Sequence, residues 1–185
     1  MSGDDTHEGA DPRLIERVIK QRVAERAAEW FPDLGRSRTV RLQPLSFRPR
    51  CALYAVHLGD DSKVPQILAK VRRSDPLGGS DDGRVRRPRL RTDSLTAAGL
   101  TALEYGGLQS IFATFGTSHA NFGAVRPLDH LTSESAILMD YVHASTLRQL
   151  FIAESRVMPR GRLAQRRPAT REAWHHAGAW LRAFH

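Results

Sequence analysis

One cysteine, Cys51, stands in the 185-residue chain, so no disulfide can form within it and a reducing compartment fits. No apolar run approaches the roughly 18 residues that a membrane-spanning helix needs. The opening residues, MSGDDTHEGADP, are acidic and polar, the opposite of a signal or transit peptide. Together these absences point to the cytoplasm. Lysine is scarce as well: of 28 lysines and arginines only Lys20, Lys63 and Lys70 are lysines. The formal charge of +8 therefore rests on arginines spread along the chain. Their one dense cluster, GRVRRPRLR (83–91), holds no aromatic residue to stack on bases, which argues against nucleic-acid binding as a biological role. A flexible basic loop and an arginine-favouring coding bias explain the charge. Hydrolysis by a Ser/His/Asp set has no G-x-S-x-G to start from. His175, His176 and His185 have no acid or cysteine at ligand spacing, so an ordinary helix surface is expected there rather than a metal site. Cys51 has no cue for a lowered pKa and reads as a packed strand residue.

What is present is ordinary for a globular protein, 41% hydrophobic and 26% charged, in one domain or two small lobes. Asp11 and Pro12 make a good helix start, and Leu14, Ile15, Val18, Ile19, Val23, Ala27 and Trp30 follow at helical spacing. A helix is thus predicted over 12–31, after a disordered tail over 1–11. Three strands of an antiparallel meander follow, RTVRLQPL (38–45), CALYAVHL (51–58) and PQILAKV (65–71), joined by the turn formers of SFRPR and GDDSKV. Residues 72–94 carry glycine, proline and charge without periodicity and are expected to form a mobile Arg-rich insertion. A second helix is predicted over about 95–115, with Leu100, Leu103, Gly107, Leu108, Ile111 and Phe115 along one side and Glu104 at the edge of that stripe. Its Gly106–Gly107 pair implies close packing or a bend. Strands over 122–131 and 135–142, a helix capped by Ser145, and a last helix from Thr170 with Ala173, Ala177, Trp180, Leu181 and Phe184 on one face complete the chain. The last helix reaches His185 without a stop signal, as if cut.

Lys70 is the residue with chemistry to explain. Alternate side chains of a strand share a face, so Lys70 goes with Leu68, while Ile67, Ala69 and Val71 take the other side. A lysine in such a strand either snorkels at an edge or meets an anion. Glu104 is the candidate partner. Its competing role is a capping box with Thr101, although the upstream SLTAAGL argues for an earlier helix start with a cap at Ser94.

The ordered set resembles the small lobe and hinge of the kinase-like fold, and in particular the aminoglycoside phosphotransferase and choline kinase group of small-molecule kinases. ILAK stands at that family's strand-three lysine, and LEYGGLQSIFATF resembles the helix whose glutamate holds it. ILMDYVHASTLRQL is similar to the gatekeeper, hinge and following helix, and AGAWLRAFH to the helix before the catalytic loop. The resemblance covers about 38–185. It implies an α+β fold: a kinase-like N-lobe over 38–142, with a five-stranded antiparallel sheet and one packed helix, preceded by the N-terminal helix (12–34). Residues 143–185 would be the hinge and the start of an incomplete helical C-lobe. It also implies that ATP is the nucleotide. Lys70 would neutralise its phosphates and Glu104 would fix Lys70. The Asp140 carbonyl and the Val142 N–H would pair with the adenine edge, Met139 would close the rear, and Val56 and Leu68 would cover one ring face.

Two features depart from the family. QPLSFRPRC, between the first two strands, has no G-x-G-x-x-G, and Arg48 and Arg50 stand there instead. After Asp140 the only acids are Glu154 and Glu172, so the family's base and Mg²⁺ ligands are not in this chain. It is expected to hold nucleotide without transferring phosphate to a small-molecule hydroxyl. The alternatives are a non-catalytic, pseudokinase-like scaffold whose last helix docks a separate C-lobe or partner protein and, further off, a basic nucleic-acid-associated protein.

Overall fold

Helix α1 (Pro12–Trp30) starts at its proline, as the Asp-Pro signal predicts, and buries one stripe. Ile19 and Val23 are fully buried, and Ala27 and Trp30 nearly so. Each such aliphatic side chain contributes about 1.5–3 kcal/mol on burial. In the computed structural model, residues 12–34, 39–48, 50–60, 62–73, 96–117, 123–144, 149 and 168–184 are described. The expected tail over 1–11, the helix expected from Ser145 except for Gln149, and all of the 72–94 insertion except Arg72 and Arg73 lie outside them.

A 3-10 turn (Pro32–Leu34) follows α1, and then the strands β1 (Val40–Arg48), β2 (Cys51–Leu58) and β3 (Ile67–Arg72). Helix α2 (Ala97–Phe115), strands β4 (Pro127–Leu131) and β5 (Ala136–Asp140), and helix α3 (Pro168–Phe184) complete the order. The five strands form one antiparallel sheet in the order β1-β2-β3-β5-β4, so the architecture is α+β. Strand β1 runs further than predicted. Ser46, Phe47 and Arg48 pair with Leu53, Ala52 and Cys51, because a register shift between Pro44 and Ser46 absorbs the proline. Strands β3, β4 and β5 are shorter than predicted, and β5 ends at Asp140.

The sheet is covered on both faces. Ala52, Tyr54, Val56, Leu58, Ile67, Ala69, Val71, Ala136 and Leu138 pack against Ile19, Val23, Ala27 and Trp30 of α1. Arg22 Nε and Arg26 Nη1 reach Asp129 Oδ2 of β4 at 3.0 and 3.5 Å and tie the helix across the sheet. On the opposite face α2 lies against β3, β4 and β5. Among the described residues, no helix is long and apolar enough to cross a membrane.

Helix α2 begins earlier than the capping-box alternative requires. Thr96 is the cap, its hydroxyl accepting from the Gly99 N–H at 3.1 Å. Thr101 is fully buried inside the helix and donates back to the Ala98 carbonyl at 2.9 Å. Glu104 therefore does not close a capping box with it. Leu100, Leu108, Ile111 and Phe115 of the predicted stripe are sheltered, but Leu103 is 62% exposed and Gly107 is exposed. With 3.6 residues per turn, Thr101 and Glu104 take the inner line beside them instead. The Gly106–Gly107 pair does not pack closely, since a Cβ at either position meets nothing within 4 Å. Gly106→Ala and Gly107→Ala are therefore expected each to raise stability, by about 0.5–1 kcal/mol, in urea unfolding. Destabilisation by either would show that a contact there depends on glycine.

Candidate functional site

The β2–β3 and β3–β5 registers decide which side chains meet. Leu53 lies opposite Lys70 and Ala55 opposite Leu68; across β5, Leu68 faces Met139 and Lys70 faces Ile137. Directly opposed residues share a face, so Leu53, Ala55, Leu68, Lys70, Ile137 and Met139 form one surface, the one on which α2 lies. Val56 pairs with Ile67 and belongs to the other face, fully buried under α1. It cannot cover a ring beside Leu68. The residue of β2 on Leu68's side is Ala55.

Lys70 and Glu104 meet as expected: Lys70 Nζ donates to Glu104 Oε1. A second cation joins them, since Arg72 Nη2 donates to Glu104 Oε2 at 3.0 Å. The three side chains are 24%, 26% and 29% exposed for Lys70, Glu104 and Arg72, so the cluster is shielded yet reachable. Burial pushes the Glu104 carboxyl up, but the hydrogen bonds and charges of Lys70, and then of Arg72, outweigh it and hold the pKa below its ordinary value. Each carboxylate oxygen thus carries its own cation, and the cluster has one positive charge in excess. Among the described residues the buried Nε of Arg72 has no hydrogen-bond partner, an arrangement that costs about 1–3 kcal/mol.

Arg72 went unnoticed in the sequence, although AKVR places it two residues beyond Lys70 on the same face. On the same face of the sheet, beyond Ile137 of β5, His130 Nε2 meets the buried Thr101 hydroxyl at 3.1 Å and its ring stacks on Tyr105 at 5.3 Å, which fixes α2 against β4.

Beyond β5 the chain leaves the sheet in two steps. The Asp140 N–H donates to the Arg126 carbonyl at 3.0 Å and the Tyr141 N–H to the Gln66 carbonyl at 2.8 Å. Val142 is 55% exposed, and among the described residues nothing pairs with its backbone. The next residue is tied back again, with His143 Nε2 3.0 Å from the Pro65 carbonyl. The strand break therefore leaves one main-chain position open between two anchored ones. Met139 is nearly buried behind it.

A separate open depression of about 380 Å³ lies between α1 and the β4–β5 turn, lined by Gln21, Arg22, Glu25 and Glu134 among others. Arg22 there is already paired with Asp129, and Lys70 and Glu104 are not part of it. Among protein-family models, curated proteins and solved structures, none matches the chain.

Proposed function

We propose that the chain is the nucleotide-binding portion of an ATP-dependent phosphotransferase acting on a small-molecule hydroxyl, of the aminoglycoside phosphotransferase kind. The observation that carries this reading is the ion pair between Lys70 of β3 and Glu104 of α2, set in a sheet of order β1-β2-β3-β5-β4. A kinase-like small lobe needs that connection, because a lysine offered to phosphate must be held at a fixed distance from the base-reading strand. Leu68 and Met139, on the lysine's face, and the open Val142 backbone supply an apolar wall and a main-chain edge for adenine.

The residues present do not fit the family's Mg²⁺. Among the described residues no three His, Cys, Asp or Glu side chains converge. The carboxylate at the lysine's face, Glu104, is already engaged by Lys70 and Arg72; Asp140, at the end of β5, is held by Arg126, and Asp129, on the opposite face, by Arg22 and Arg26. Holding nucleotide, rather than transferring its phosphate, is what these residues can do. That feature also favours a second reading, a pseudokinase-like module that binds without catalysis.

Calorimetric titration of the purified chain with ATP tests the proposal. Weak binding with negligible hydrolysis is expected, and Lys70→Ala should reduce the affinity about 10- to 100-fold, the worth of a charge-assisted contact to phosphate. Equal affinity in the two proteins, or no binding by either, would refute it.

A further inference from the structure

We propose that Arg126 is a positioning residue that couples the end of helix α1 to the segment reading the nucleotide base; this rests on the nucleotide reading above. Arg126 precedes β4 and Asp140 ends β5, and the pair is joined three times. Arg126 Nε donates to Asp140 Oδ2 at 3.0 Å and Nη2 to Oδ1 at 3.1 Å, while the Arg126 carbonyl accepts from the Asp140 N–H at 3.0 Å. Two side-chain bonds and one main-chain bond between the same two residues fix the Asp140 rotamer and the peptide plane that carries its N–H. The Asp140 carbonyl lies in the following plane, together with the Tyr141 N–H, which the Gln66 carbonyl holds at 2.8 Å.

The same guanidinium reaches the other layer. Its Nη2 donates to the Trp30 carbonyl at 3.1 Å, and its Cζ sits 5.3 Å from the centre of the Phe31 ring. Trp30 ends α1, where helix carbonyls lack intrahelical donors and favour a cation. The helix end is itself rigid, because the Trp30 side chain is only 7% exposed within the core cluster. A planar fork is needed to serve a carboxylate and a carbonyl together; an ammonium is a single point and cannot span them. Asp140 is thus referenced through Arg126 to the buried core rather than to solvent. The Tyr141 N–H bond to Gln66 then carries that placement to the edge of the open Val142 position.

The test uses the full chain as wild type, Arg126→Lys and Arg126→Met, with two readouts. Hydrogen exchange at the Asp140 and Tyr141 amides is expected to rise about tenfold or more in both variants, while β2 and β3 amides change little, as for a local opening. Those β2 and β3 amides also show whether either variant has simply unfolded. Affinity for ATP is expected to fall about five- to tenfold in both variants and selectivity over GTP to shrink, with inorganic tripolyphosphate bound as in wild type. A wild type that binds ATP, with variants of unchanged affinity and selectivity, overturns the role of Arg126 alone. Unchanged exchange at both amides overturns it as well. A wild type that binds no nucleotide overturns the nucleotide reading and this inference together.

Discussion

Glu104→Ala is expected to lower the unfolding free energy by about 2 kcal/mol, a fall of about 4–8 °C in Tm for a chain of this length. The variant loses two charge-assisted bonds and leaves Lys70 and Arg72 facing each other without a counter-charge. Removing one partner of a fully buried pair costs about 3–5 kcal/mol, and the quarter exposure of these groups places the figure below that range. Lys70→Met should cost less than half as much, since Arg72 still compensates the carboxylate. The effect also depends on pH. The folded-state pKa of Glu104 is depressed, so its contribution is present above the unfolded value of about 4.3 and is lost as pH falls through the lower folded value. The gap between wild type and Glu104→Ala should therefore close in acid. Urea midpoints measured between neutral and acidic pH check this. Equal losses for the two substitutions, or a gap independent of pH, would show that the carboxylate does not serve both cations.

Ile19→Asp is expected to have a larger effect still: loss of the cooperative unfolding transition at room temperature. Ile19 is fully buried between α1 and the sheet, among apolar neighbours. An unpaired carboxylate there costs several kcal/mol, against a total stability of about 5–15 kcal/mol for most domains. Leu14→Asp is the control. It lies on the same helix but is 52% exposed, and it should change stability by no more than about 0.5 kcal/mol. Circular dichroism melts of both variants give the answer. A cooperative melt of Ile19→Asp near the wild-type temperature would mean that α1 is an appendage to the sheet and not half of its core.

Much of this fold was legible in the sequence because its elements alternate cleanly. ILAK, with period two, separated Lys70 from Ala69, and the β2–β3 and β4–β5 connections fall near the turns the sequence indicates. Register was not legible. CALYAVHL is apolar on both faces, and a slip of one residue exchanges the faces. Nothing in the sequence said whether Ala55 or Val56 lay beside Leu68, and the pairing of Val56 with Ile67 decides it. The reach of β1 was hidden by Pro44, which a bulge accommodates. The Lys70–Glu104 meeting was legible through the resemblance and through the need of a strand lysine for an anion. The bond between Arg126 and Asp140 was not, because it depends on how the β4–β5 hairpin brings the residue before β4 beside the last residue of β5.

The outermost strands have one more consequence. Strand β1 carries Pro44 and an irregular register, and β4 opens on Pro127 with another register shift before Asp129. A proline offers no N–H and a bulge twists the ladder away, so a foreign β-segment finds no continuous row of partners on either flank. Self-association by lateral strand addition, the route that ends in fibrils, is thereby blocked at both margins.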